Sequence, residues 1–226
     1  MNRTDPNRAP VAAIIFDCDG TLIDSEMMQA KALQKGLAQS GVDIDLDDIK
    51  RRTTGVDNPT VLKNIETERG VRLPASLEAQ IEQLAGGLVS EGIQAIDGAV
   101  EVVHALARAN LPMAVASNST QDLVVAMLTA VDLIEPFNGR IATRDLVESP
   151  KPAPDAYLLA ARMLAIAPGR CLAVEDSPTG VRSARRAGMS VAGFFSASGA
   201  YQSKELLEAG ATFIIDDLRS LLRVVT

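Results

Sequence analysis

Two aspartates one residue apart, Asp17 and Asp19, close the apolar run in VAAIIFDCDGTLIDSE, from Val11 to Glu26. In an extended strand, residues i and i+2 point to the same side, so both carboxylates can face one cavity while Cys18 points away as a spacer. Gly20 then permits a tight turn. Alone, this pair also fits a strand end whose aspartate caps a turn. A second acidic pair changes the balance: CLAVEDSPTG (171–180) is another buried run, and it ends in Glu175 and Asp176. Ser177 follows as a helix N-cap and Pro178 as the first helical residue. Acids at the carboxyl ends of two parallel strands can converge on one divalent cation. AVASNST (114–120) ends in hydroxyls and an amide, Ser117 and Asn118 among them, before a helical pattern whose first N–H groups favour an anion. SPKPAPD (149–155) sets Lys151 between two prolines in a loop that enters a helix. Taken singly, Ser117 reads as a cap and Lys151 as a solvated lysine. Together the four sites describe a pocket for Mg²⁺ and a phosphoryl group.

Those residues need a scaffold that gathers strand ends. Short apolar runs recur at 11–17, 112–119, 139–145, 171–177, 191–196 and 212–216. Their apolar residues are consecutive rather than alternating, which suits strands buried on both faces of a parallel sheet. Helical patterns such as GAVEVVHALARANL, TQDLVVAMLTAVDLI and APDAYLLAARMLAI separate them. The alternation predicts an α/β fold, a doubly wound parallel sheet of Rossmann-like form, with ligands at the carboxyl ends of its strands. The rhythm breaks after the first strand, where SEMMQAKALQKGLAQSG and SLEAQIEQLAGGLVSEG read as helices and no strand pattern occurs. The expected organisation is an α/β core from residues 1–23 and 95–226, with a helical insert at 24–94.

Composition bounds the rest. The chain has 226 residues, 47% hydrophobic, enough for a sizeable core, but only 3% are aromatic and tryptophan is absent, so aliphatic packing must carry that core. Acids outnumber Lys and Arg by 29 − 22 = 7. That balance argues against non-specific binding to nucleic acid or membrane, and it means an anionic ligand needs a local positive source. The two cysteines, Cys18 and Cys171, are far apart and form no framework, consistent with a reducing interior. No run reaches a membrane span, and the polar start MNRTDPNRAP reads as a loose tail on a cytoplasmic protein.

The ordered set DxDGT, a strand-end Ser, a loop Lys and an acidic ED pair resembles the haloacid dehalogenase superfamily over nearly the whole chain. The insert is similar in position to that family's C1-type helical cap. Within the superfamily the chain resembles the β-phosphoglucomutase, phosphoglycolate phosphatase and sugar-phosphate phosphatase group. The resemblance implies a Mg²⁺-dependent phosphatase of small phosphorylated metabolites, with Asp17 as nucleophile forming an aspartyl-phosphate and Asp19 as the acid and base. It implies that Ser117 and Lys151 hold the phosphoryl oxygens with Asn118 beside them. The implied Mg²⁺ ligands are Asp17, the backbone of Asp19 and Asp176, with Glu175 in support. FDCDGTLIDSE is also similar to the start of 6-phosphogluconate phosphatases, which points to a sugar or sugar-acid phosphate.

Two alternatives stand beside this reading. Metal-independent 2-haloacid dehalogenases share the nucleophile but typically lack an aspartate where Asp19 stands. A phosphosugar mutase shares the core residues, but β-phosphoglucomutases carry a cap histidine twelve residues after the nucleophile, where the count 17 + 12 gives Gln29. Thr21 also looks like the phosphatase form. The only histidine, His104, sits in a helical pattern and reads as structural. Arg182, Arg185 and Arg186 read as surface charge, and VDIDLDDI as an acidic helix start. IKRR (49–52) reads as a solvated face, and RRTTGVDNPT (51–60) is the expected substrate contact of the insert.

Overall fold

The computed structural model describes residues 11–53, 58–196 and 199–223. The expected N-terminal tail and residues 54–57 of the expected contact loop lie outside them. The chain runs β1 (Ala13–Phe16), β2 (Ile23–Asp24), α1 (Glu26–Gln39), α2 (Leu46–Thr53), α3 (Asn58–Arg69), α4 (Leu77–Leu88), β3 (Gln94–Ala95) and α5 (Ala99–Arg108). It continues through β4 (Met113–Ala116), α6 (Gln121–Ala130), α7 (Ile134–Phe137), β5 (Ile141–Ala142), α8 (Asp155–Met163), β6 (Cys171–Glu175), α9 (Pro178–Arg186), β7 (Ser190–Phe194), α10 (Ser203–Ala209) and β8 (Phe213–Ile215).

All six expected strands fall in one parallel sheet, in the order β5-β4-β1-β6-β7-β8. From β1 the chain moves outward through β4 and β5, then crosses to the other side of β1 for β6, β7 and β8. The strand order therefore reverses at β1, and a crevice opens outside its carboxyl end. In-register pairing of Phe16 with both Val115 and Val174 brings the ends of β1, β4 and β6 level.

Both faces of the sheet are covered. Ile14, Phe16, Val115, Leu172 and Val174 pack with Val102, Val103, Leu106, Val124 and Met127 of α5 and α6. Ala13, Ile15, Ala114, Ala116 and Ala173 face Ala156, Tyr157, Ala160, Val181 and Ala184 of α8 and α9. Alternate residues of β1 thus serve opposite faces, and both are apolar because neither meets water. The second face is rich in alanine, which lets α8 and α9 lie close to the strand ends they serve.

The insert is helical, as the sequence predicts, and forms a cap of α1 to α4. Leu77, Ile81, Ala85 and Leu88 make one apolar stripe of α4 that packs on Leu33 and Leu37 of α1. A Cβ at Gly36 would sit 2.7 Å from Ile81 Cγ1, so this glycine sets how closely the two helices approach. What the apolar pattern missed is the seam. β2 and β3 pair antiparallel, Ile23 with Ala95 and Asp24 with Gln94, as a two-residue ribbon at the entry and exit of the cap. Two residues per strand are too few to produce a period.

Candidate active site

Asp17 stands immediately after β1, and its N–H still donates to the Val174 carbonyl of β6 at 2.9 Å. The ladder thereby aims its side chain into the crevice. Lys151 reaches it from the loop before α8, its Nζ lying 2.6 Å from Asp17 Oδ1 and 2.6 Å from Glu175 Oε1. All three side chains are buried. Asp17, Glu175 and Asp176 each offer a carboxylate oxygen within 4.8 Å of the others.

Electrostatics follow from that crowding. Burial pushes the Asp17 carboxyl up from 3.8 to about 8, with Lys151 opposing the rise and Glu175 and Asp19 adding to it. Asp176 is raised well above its ordinary value by burial and by Asp17 and Glu175. Burial works to lower the Lys151 ammonium, but Asp17 and Glu175 outweigh it and hold it above its ordinary value. The lysine's rise requires ionised partners while Asp17 is pushed toward neutrality. The 2.6 Å contacts favour a charged lysine between two acids, and its single charge leaves the cluster of three carboxyls with a surplus of acid. Such a donor set, all oxygen and surplus in negative charge, suits a hard divalent cation. Gly20 leaves room for the Asp176 carboxylate: with φ at +79° it turns the chain, and a Cβ there would overlap that group.

Glu175 is held on every side. Its Oε1 accepts from Lys151 Nζ and from the Tyr157 hydroxyl at 2.8 Å, and its Oε2 from the Ser177 hydroxyl at 3.1 Å and the Ser177 N–H at 3.4 Å. A Cβ at Gly180 would overlap this carboxylate, so the first turn of α9 needs glycine there. Ser177 caps α9 by accepting from the Gly180 N–H at 3.0 Å, with Pro178 opening the helix as expected. Tyr157 also places its ring 5.0 Å from Lys151 Nζ. In the sequence it is one apolar position among others in a helical stripe, and only the fold shows its hydroxyl at work.

Asp19 occupies a different setting. Oδ1 accepts from Ser25 Oγ at 2.6 Å and from Gln29 Nε2 at 2.8 Å. Oδ2 accepts from Ser119 Oγ at 2.9 Å and Ser117 Oγ at 3.4 Å. One carboxylate thus joins two donors from the start of the cap to two from the loop after β4. Ser25, Gln29 and Ser119 extend the expected site, and Gln29 is the residue reached by counting from Asp17. Asn118 lies beside Lys151. Its side chain clamps the backbone of Lys151, Oδ1 accepting from the N–H at 2.8 Å and Nδ2 donating to the carbonyl at 3.2 Å.

The spacer reading of Cys18 agrees with its burial in the apolar core. Arg52 is engaged inside the cap by Asp48 at 3.0 Å and by Glu68 at 2.6 Å, which ties α2 to α3, and Arg51 pairs within α2 with Asp48 at 3.3 Å.

The chain matches the haloacid dehalogenase-like hydrolase family over residues 11–188. It is 28% identical to the 6-phosphogluconate phosphatase of Escherichia coli over 80% of this chain and 81% of that protein. It is 29% identical to the fructose-1-phosphate phosphatase of the same organism over 79% of this chain and 93% of that protein. A haloacid dehalogenase-like protein of unknown function from Agrobacterium tumefaciens shares 35% identity and superposes with a TM-score of 0.77, covering 95% of this chain and 97% of that one. With a match that spans core and cap together, the chain belongs to the haloacid dehalogenase-like hydrolases.

Proposed function

We propose that this phosphoric monoester hydrolase cleaves a small sugar phosphate or sugar-acid phosphate in two steps through Asp17, with Mg²⁺ as its metal. The observation that carries this reading is the pairing of Asp17 with Lys151 at 2.6 Å beside a second acid, Asp19, held separately by hydroxyls and an amide. Two carboxylates in unlike settings can take unlike roles.

In the first step an Asp17 oxygen attacks phosphorus, the bond from phosphorus to the leaving oxygen breaks, and Asp19 gives that oxygen its proton. In the second, Asp19 takes a proton from water, the water oxygen bonds to phosphorus, and the bond to Asp17 breaks, releasing inorganic phosphate. Lys151 and Ser117 hold the non-bridging oxygens, and Asn118 fixes Lys151 by its backbone. Asp17, Asp176 and the Asp19 carbonyl would hold the metal, with Glu175 anchoring the lysine. When bound, the cation offsets the repulsion between a carboxylate and a phosphate dianion.

Residues 24–94 act as the cap that covers this crevice, turning on the β2–β3 ribbon and excluding water. The two Escherichia coli relatives, one named for 6-phosphogluconate and one for fructose 1-phosphate, support this substrate class. No helix among the described residues is long and apolar enough to cross a membrane. A small phosphorylated metabolite as substrate supports a cytoplasmic setting. Phosphate release from a panel of phosphorylated metabolites, with and without Mg²⁺, is the test. Release from sugar or sugar-acid phosphates that stops on chelation is expected. Failure with every member and with a generic aryl phosphate would overturn the reading.

A further inference from the structure

Glu82 lies on α4, one residue past Ile81 of the apolar stripe, and its side chain is mostly withdrawn from solvent. It reaches across to the core. Its Oε1 accepts from the Thr120 N–H at 2.7 Å, and its Oε2 accepts from Arg144 Nη2. Thr120 is the N-cap of α6 and directly follows Ser119, whose hydroxyl donates to Asp19. Arg144 opens the short turn after β5, and the next residue, Asp145, accepts from the Gln121 N–H at 3.1 Å. The first two N–H groups in question are therefore shared out between two carboxylates. One comes from the core and travels with it; the other comes from the cap.

We propose that Glu82 is a latch that holds the cap shut on the core by bridging Arg144 and the N-terminus of α6. A carboxylate placed where both a guanidinium and helix N–H groups point gains from each, and charge-assisted bonds of this kind are stronger than neutral ones. Lifting the cap breaks both bonds at once and returns Arg144 and the Thr120 N–H to water. The latch is separate from the β2–β3 ribbon and from the Ser25 and Gln29 contacts at the start of α1. It closes the cap from α4, at the loop that carries Ser117 and Ser119. Cap position and the setting of those hydroxyls are thus coupled through Glu82, in addition to the contacts that meet at Asp19. It touches no reacting atom and acts as a positioning residue.

The test reads cap position directly, in protein without substrate, so its outcome does not depend on which phosphate is hydrolysed. Nitroxide labels go on Val71→Cys in the cap and Leu207→Cys in the core, both exposed positions, while the native Cys18 and Cys171 are buried. The parent should give one dominant spin–spin distance. Glu82→Ala should broaden it and shift it to longer values. Arg144→Met and the near-isosteric Glu82→Gln, which keeps an oxygen for Thr120, should shift it less. Kinetically, Glu82→Ala should raise KM about five- to tenfold, the range of a modest coupling between two conformations, without lowering kcat. Added salt should move the parent distribution toward that of Arg144→Met. Unchanged distances in both Glu82→Ala and Arg144→Met, or a fall in kcat with KM unmoved, would overturn the latch.

Discussion

At the scale of the residue, the site divides four carboxylates by their surroundings. Asp17 meets a lysine, Glu175 is fully saturated by donors, Asp176 faces the surplus charge, and Asp19 is held by hydroxyls and an amide. Asp17→Asn keeps the shape and removes the proposed nucleophile, so turnover should vanish while the melting curve remains cooperative. Incorporation of beryllofluoride by that variant, or substantial remaining turnover, would show that the nucleophile lies elsewhere. The acidic pair should separate in the same way. Asp176→Ala should raise the Mg²⁺ concentration needed for half-maximal rate at least tenfold, whereas Glu175→Ala should act chiefly on stability. Removing Glu175 strips Lys151 and the Tyr157 hydroxyl of a shared acceptor, and breaking a buried ion pair typically costs about 3–5 kcal/mol. Denaturant melts combined with Mg²⁺ titrations of the two variants distinguish these effects. Equal metal responses would contradict the division.

At the scale of the element, α1 ties the cap to Asp19. Its first turns bring Gln29 back onto Asp19, and Gln29 Nε2 also donates to Ser25 Oγ at 2.9 Å. A mutase must shield its aspartyl-phosphate from water until a sugar hydroxyl arrives, whereas a phosphatase lets its base act on water promptly. Glutamine offers a hydrogen bond but does not titrate near neutral pH, unlike the histidine of the mutases. Hydrolysis should therefore outrun phosphoryl return to sugar. Supplying β-glucose 1-phosphate with a bisphosphate primer and following products by phosphorus NMR should show inorganic phosphate ahead of glucose 6-phosphate. The reverse order would make the enzyme a mutase.

At the scale of the molecule, the crowded acids impose a pH dependence on folding. The folded-state pKa of Asp17 is raised from 3.8 to about 8, so the folded state keeps a proton that the unfolded chain has already released. For a group raised in this way, the stabilising effect is full below 3.8 and is lost as pH climbs through the window to about 8. Metal-free protein should lose stability with rising pH over that range. The slope should be smaller in Asp17→Asn, and Mg²⁺ should raise the melting temperature most at the upper end, because binding to the native state stabilises it. Calorimetric melts at a series of pH values, with and without Mg²⁺, measure both. A metal-free slope identical in the parent and Asp17→Asn would rule out Asp17 as its source.

The amino-acid sequence by itself determined the sheet and the acids at its edge. Continuous apolar runs such as AIIF in β1 and CLAVE in β6 have no face to give to water, so a covered parallel sheet is the only place for them. The residue after each such strand is carried to a common edge, which is why Asp17, Ser117 and Asp176 were legible from local pattern, with Glu175 at the end of β6 itself. Lys151 and Asn118 were legible as candidates, but the clamp between them joins residues 33 apart, a separation on which local pattern is silent. Tertiary structure alone decided the use of Tyr157, since the period of α8 requires an apolar ring there and is indifferent to a hydroxyl. It alone decided Glu82 as well: an exposed-looking acid on an amphipathic helix acquires a role only when the cap sets it against Arg144 and Thr120. Periodicity reports burial on one element, whereas these contacts depend on how separate elements are placed against each other.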